Sequence, residues 1–319
     1  MRVLVAGASG AIGRQLVPLL LSAGHDVTGL SRSGDEVAGG AGSGSARMVA
    51  VDALDRAAVT EVVANVAPEA VVNMLTAIPA ELNPRHLAAE FEATNRLRTE
   101  GTRNLLEAAD RVGVRRMIAQ GLAYAYDPAG PGLADEEEPL WEDPPRQFAP
   151  VMRALATMEG AVRAAGGLVL RLGHLYGPGT IYAPDGSFVR SVRAGKVPLV
   201  GGGHSVFSFS HVYDVATAIL AALEKDVVGA LNVVDDDPAP IREWLPTLVR
   251  LSAAPRPKSI PTFLARLAVG GWGTAFMTEL RGADNARAQL ALDWRPRFPS
   301  WRGGFEQSFA PHAAPASRD

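Results

Sequence analysis

Three glycines spaced by three, Gly7, Gly10 and Gly13, follow the apolar run Val3-Leu4-Val5-Ala6 near the start of the chain. A strand buried on both faces needs such a continuous apolar run. The glycines then allow a sharp turn and let bare backbone N–H groups come close to a ligand. A helix beginning near Ala11 would aim its positive dipole end at the same point. The chemistry this predicts is the binding of a dinucleotide pyrophosphate by Gly7, Ser9, Gly10, Ala11, Ile12 and Gly13, with Gly13 letting the helix pack tightly on the sheet. The spacing is Gly-x-x-Gly-x-x-Gly, not the commoner Gly-x-Gly-x-x-Gly.

The end of the second strand selects the dinucleotide. An acidic residue there would bind the adenosine ribose hydroxyls. This chain has Ser31-Arg32-Ser33 instead, and a guanidinium with two hydroxyls suits a 2′-phosphate. NADP(H) is therefore expected over NAD(H), with NAD still possible. Asp35, beyond Gly34, is a poor candidate for a ribose acid.

Polar residues near the ends of later strands supply candidates for proton transfer. Gln120 and Asn73 could polarise a carbonyl, or bond to local backbone. His174 is the imidazole best placed for acid–base work, or else a loop histidine bonded to backbone. His204 sits in a glycine-rich loop and Lys196 reads as a surface lysine, while His211 and Asp214 are expected to secure a helix start. No His, Asp or Glu spacing suggests a metal site.

These residues need a scaffold, and the hydrophobic pattern describes one. Strands are expected near 2–6, 26–30, 47–51, 70–75, 115–119 and 167–172, with helices near 11–23, 55–66, 86–112 and 149–165. That alternation is the pattern of an α/β doubly wound parallel sheet, here a dinucleotide-binding Rossmann unit. Beyond residue 173 a strand over 206–210, a helix over 211–223 and a strand over 230–234 are followed by short helices broken by Pro and Gly. The expected division is a Rossmann domain over 1–172, to which 206–235 returns, and a smaller, mostly helical substrate lobe over 173–205 and 236–310. Residues 34–45 read as a flexible loop, 311–319 as a flexible tail, and Asp135-Glu-Glu-Glu138 as a solvated charge run.

Composition narrows the partners. A net charge of −3 over 319 residues, without a basic tract, argues against nucleic acid or anionic membrane. The absence of cysteine excludes disulfides, thiol catalysis and cysteine metal sites. No apolar stretch is long enough to span a membrane, and the first one is too short for a signal-peptide core, so a soluble cytoplasmic protein is expected.

Taken together, the motifs resemble the extended short-chain dehydrogenase/reductase superfamily, in its NAD(P)-dependent epimerase/dehydratase branch. The resemblance rests on Gly7-Ala-Ser-Gly-Ala-Ile-Gly13, Asp52, Leu75-Thr76-Ala77, Thr94-Asn95 and Gly101-Thr-Arg-Asn-Leu105. It continues through Arg171-Leu-Gly-His-Leu-Tyr-Gly-Pro-Gly179, His211-Val-Tyr-Asp-Val215, Asn232-Val-Val-Asp235 and Leu292-Asp-Trp-Arg-Pro296. It implies that Asp52 and Ala53, Leu75, Thr76 and Ala77, and Asn95 join the glycine loop and Ser31, Arg32 and Ser33 around the cofactor. It also implies a substrate-side tyrosine at Tyr126, with Tyr124 two residues earlier, the alternative for Tyr126 being a half-buried ring with a satisfied hydroxyl; a homodimer is common in such families.

The departures narrow the reaction. The family works with a Ser or Thr and a Tyr-x-x-x-Lys pair, in which the lysine lowers the tyrosine's pKa and the tyrosine exchanges a proton with substrate oxygen. Aligning on Tyr126 and Glu159 puts Leu122, Val151 and Leu155 at those positions, and Arg153 on the opposite side of the helix. Independently of alignment, the only lysines are Lys196, Lys225 and Lys258, and no Tyr-x-x-x-Lys occurs. Phe207-Ser208 stands where nucleotide-sugar enzymes often carry Arg-Asp. The implied pocket is greasy and suits a mostly apolar small molecule rather than a nucleotide sugar. The expected function is NADP(H)-dependent oxidoreduction, with Tyr126, Tyr124, His174, Gln120 or water serving the proton. A non-redox isomerase, lyase or cyclase with a retained dinucleotide, and a non-enzymatic NADP(H) sensor, are the alternatives.

Overall fold

The computed structural model describes residues 1–34, 37, 45–79, 81, 83 and 85–310. Asp35, most of the loop expected over 34–45 and the tail at 311–319 lie outside the described residues.

Seven parallel strands form the centre of the molecule. They include β1 (Arg2–Ala6), β2 (Asp26–Ser31), β3 (Arg47–Ala50), β4 (Ala70–Asn73), β5 (Arg116–Leu122) and β6 (Leu168–Leu172). The strand Gly229–Val233 completes the sheet by pairing with β6, and the spatial order from the other edge is β3-β2-β1-β4-β5-β6. β1 pairs with β2 on one side and β4 on the other, Val5 lying opposite both Gly29 and Val72. The chain thus reverses its winding beside β1, and the strand ends there form the crevice in which doubly wound sheets bind ligands.

Helices cover both faces because the central strands are apolar on both. On one face Leu16, Val17 and Leu20 of helix Gly13–Ser22 meet Val215 and Ile219 of helix Val212–Glu224. On the other, Val59 and Val63 of Arg56–Val66, Leu105 of Thr102–Arg111 and Val151 and Leu155 of Ala149–Ala164 pack together. Asp55 caps its helix by accepting from the N–H groups of Ala57 and Ala58.

The helix expected over 86–112 is not continuous. It runs as Leu87–Glu90 and Glu92–Arg96, then widens into a π-turn at Leu97–Gly101 before resuming as Thr102–Arg111. A π-turn inserts backbone into the helical ladder and commonly marks a functional position. Here Arg98 and Gly101 of the turn are buried.

The strand expected over 206–210 is split at Ser208. Its hydroxyl donates to the Ala283 carbonyl (2.7 Å) and accepts from the Ala283 N–H (2.8 Å), tying the chain to a neighbouring loop. Val206–Phe207 pairs antiparallel with Ala239–Pro240, while Phe209–His211 runs parallel to β7 (His174–Tyr176). Residues of the later chain also serve both halves: Ala288, Leu292 and Trp294 pack in the same cluster as the Gly13–Ser22 helix. The acidic run at 135–138 is solvated at Asp135 and Glu137, as expected, but not at the other two positions. Glu136 accepts from the Asn232 N–H (2.6 Å) and Glu138 pairs with Arg281 (2.9 Å), closing the 127–147 segment over the strand ends.

Candidate active site

The glycine loop has the shape its spacing predicts. Gly7 has φ +90°, and a Cβ there would lie 2.7 Å from the Met74 carbonyl oxygen. A Cβ on Gly13 would lie 2.3 Å from the Ala8 carbonyl oxygen. Gly13 therefore admits the loop's own backbone. The helix has no side-chain cap, and the N–H groups of Ala11, Ile12 and Gly13 have no backbone acceptor among the described residues. Converging unpaired N–H groups at a helix start, beside a glycine that admits close approach, fit a pyrophosphate.

Around the loop, the other residues expected to hold the cofactor stand at the strand ends. Arg32 and Ser33 are exposed beyond β2, and the Ser31 hydroxyl accepts from the Gly34 N–H (2.9 Å). Asp52 accepts from the Leu54 N–H (2.9 Å), and the Ala53 carbonyl accepts from Asn104 Nδ2 (3.0 Å). Thr94 Oγ1 accepts from the Ala77 N–H (3.0 Å), and Asn73 Oδ1 from the Leu75 N–H (3.2 Å), so the segment after β4 is fixed from two sides. Thr76 is exposed on that segment, and Asn95 keeps a buried Oδ1 without a partner.

A cavity of about 570 Å³ extends from Ala11 and Gly179, at the glycine loop, past Thr76, Gln120 and Leu122 to Tyr124, His174 and Tyr182. Gln120, Tyr124 and His174 are thus brought together, whereas Tyr126 is not among the lining residues. Leu122 lines the cavity, but Val151 and Leu155 are fully buried in the core and do not; with no polar group to present, they pack between helix and sheet. Arg153 is exposed, as its helical position predicts.

Tyr126 belongs to a buried ionic network. Its hydroxyl donates to Asn232 Oδ1 (2.7 Å) and accepts from Arg171 Nη1 (2.8 Å). Arg171 in turn pairs with Glu159 at 2.7 Å, both side chains being about 5% exposed or less. Burial pushes the Tyr126 hydroxyl up to about 12 despite the adjacent arginine. The phenol expected to deliver a proton to substrate is instead part of the scaffold behind β5 and β6.

His174 lies between two aromatic rings, 3.6 Å from Phe207 and 4.6 Å from Tyr124 between centroids, with both pairs nearly parallel. Burial alone pushes its imidazole down to about 3, and Nε2 has no hydrogen-bond partner. Burial thus favours the neutral ring, which forms part of an aromatic wall with Nε2 as its polar edge. Phe207, read as an apolar replacement, completes that wall, and Phe276 closes on its edge. Burial also raises the Tyr124 hydroxyl.

The remaining candidates are structural. Asn73 donates to Thr102 Oγ1 (3.0 Å), His204 meets Arg242 (3.0 Å) on the surface, and Lys196 is exposed. His211 Nδ1 accepts from the Tyr213 N–H, securing the helix start as expected. Asp214 instead accepts from the N–H groups of Arg297 and Phe298, fastening a later segment.

Two cavity residues escaped the sequence reading. Tyr182 lies in a turn cluster whose composition signals only a loop. Arg98 lies in a helical, charge-rich stretch where arginine ordinarily faces solvent. The cue available for Arg98 was its position between Thr94-Asn95 and Gly101-Thr102, on a helix that passes the strand ends.

A dinucleotide loop at the switch point of a parallel sheet, with a walled cavity running from it, defines a dinucleotide-binding protein with a small-molecule site. The chain belongs to the NAD dependent epimerase/dehydratase family, whose model matches residues 3–233. It is 46% identical to a 3-diazoavenalumate denitrifying reductase of a Streptomyces species over 95% of this chain and 99% of that protein. It is 24% identical to a 2-alkyl-3-oxoalkanoate reductase of Stenotrophomonas maltophilia, over 85% of this chain and 81% of the other. Among solved structures, the human epimerase family protein SDR39U1 with NADPH superposes with a TM-score of 0.72 at 22% identity, covering 97% of this chain and 99% of that one. These relationships place the chain among nicotinamide-dinucleotide oxidoreductases. Among the described residues, no helix is long and apolar enough to cross a membrane.

Proposed function

We propose that this protein is an NADPH-dependent reductase that removes a diazo group, as dinitrogen, from a planar small molecule. The observation that carries the reading is the chemistry absent from the cavity wall. None of the lysines lines it, and all are exposed elsewhere. Its imidazole is held neutral, and its tyrosine hydroxyls are pushed up by burial. Such a wall is poorly suited to exchanging a proton with an alcohol or carbonyl oxygen.

Reduction of a diazo compound in its diazonium form makes no such demand: when bound, the reduced nicotinamide supplies a hydride, and R–N2⁺ plus hydride gives R–H plus N2. The work left to the residues is binding, orientation and exclusion of water. The 46% identity to a denitrifying reductase of a diazo compound, over nearly the whole of both chains, supports this reading. The outer ring face of Tyr124, backed by His174 and Phe207 stacked behind it, favours a flat substrate. Ala11, Ile12 and Gly13 would hold the pyrophosphate and Arg32 the 2′-phosphate. The test follows absorbance at the reduced-nicotinamide band with a diazo arene and with a ketone of the same shape. Consumption with the diazo compound alone supports the reading; consumption with the ketone alone would replace it with carbonyl reduction.

A further inference from the structure

Arg98 is 6% exposed and lines the cavity, yet among the described residues its buried Nη1 has no hydrogen-bond partner and no ion pair reaches it. Among the described residues the carboxylate acting on it is that of Glu159, and that group is held by Arg171 through both oxygens. Two buried guanidiniums therefore stand against one buried carboxylate. A buried cation without a partner is strongly unfavourable, and burial indeed weakens Arg98's hold on its proton. The other charged residues on the cavity wall, Asp185 and Arg190, are exposed. The hydroxyl of Tyr124, on the same wall, makes no hydrogen bond to another described residue and feels the Arg98 charge. The π-turn at Leu97–Gly101 carries Arg98 on an otherwise helical segment.

We propose that Arg98, with the Tyr124 hydroxyl as a second donor, anchors a carboxylate carried by the substrate, so that the site takes a flat molecule with an acid group. The inference rests on the reading of this cavity as the substrate site, and it replaces the expectation of a mostly apolar ligand. The guanidinium fork offers a carboxylate two parallel N–H donors, and the aromatic wall accommodates the body attached to it.

The test is calorimetric binding of 2-naphthoate and of the uncharged 2-naphthamide to the protein loaded with NADP⁺. Wild type is expected to bind the acid about ten- to a hundredfold more tightly than the amide. Arg98→Gln is expected to bind the two alike, Arg98→Lys to keep part of the preference, and NADPH affinity to be unchanged in both. Wild type that binds both equally, or neither, overturns the proposal. So does Arg98→Gln with its acid preference intact, or with NADPH affinity lost in parallel, which would place the arginine on the cofactor. Should Arg98→Gln not fold, Tyr124→Phe serves, with a partial loss of preference expected and an unchanged preference counting against the two-donor anchor. Failure of the diazo-reductase reading would appear separately, as no dinitrogen release with the acid preference intact.

Discussion

The imidazole of His174 lies against the ring of Phe207 with 3.6 Å between centroids and 16° between planes. Stacking on one face, Tyr124 on the other and full burial leave the histidine no route to a stable charge. Its folded pKa, about 3, lies below the ordinary 6.5. As pH falls, the unfolded chain takes up this proton first. The stability His174 contributes is thus fully present above about pH 6.5 and is lost as pH falls toward about 3. His211, held down to about 4, acts in the same direction. Replacing His174 with Phe is expected to lessen the fall in Tm between about pH 7 and 4. The kcat/KM profile is expected to show no inflection near about pH 6.5 that the substitution removes.

Tyr126 and Tyr124 are two residues apart and have different surroundings. Tyr126→Phe breaks a hydroxyl bridge between Asn232 and Arg171. It is expected to lower stability by about 1–3 kcal/mol while KM and kcat stay near wild type at permissive temperature. Tyr124→Phe faces the cavity and is expected to raise KM for an acidic substrate with little change in Tm. Denaturant unfolding together with steady-state kinetics on both variants checks the assignment. A collapse of kcat in a folded Tyr126→Phe protein would return that residue to the chemistry.

Arg32 is exposed at the end of β2 with no ion pair among the described residues, which leaves its guanidinium available to a phosphate. Arg32→Ala is expected to weaken NADPH about ten- to a hundredfold and NADH hardly at all. Fluorescence titration with each cofactor measures both. Equal weakening would remove the 2′-phosphate role.

The fold was legible because its signals are local. An apolar run, a glycine turn and a helix are each written in a few consecutive residues, and the central strands fall close to where that pattern puts them. The cofactor end of the site shares this legibility, since Gly7 and Gly13 are required by backbone crowding within their own loop or at the next strand. The substrate end depends on what each side chain meets across the fold. Tyr126 looked like a proton donor because its partners, Arg171 and Asn232, come from β6 and from the strand Gly229–Val233. His174 looked titratable because Phe207 reaches it from a distant segment. Arg98 carried no local signal in the sequence, because the π-turn that interrupts its helix is not announced by local composition. Glu136 and Glu138 of the acidic run looked as solvated as Asp135 and Glu137 because their partners, Asn232 and Arg281, are remote in sequence.

On the proposed reading, this cavity couples nicotinamide oxidation to loss of a diazo group. The most direct measurement mixes the protein with NADPH and a ¹⁵N-labelled diazo arene carboxylate, and follows labelled dinitrogen by mass spectrometry alongside absorbance of the reduced cofactor. The expected result is one dinitrogen released for each NADPH oxidised, dependent on the protein. Cofactor that binds but is never consumed while substrate is converted, or dinitrogen released without NADPH oxidation, would contradict it.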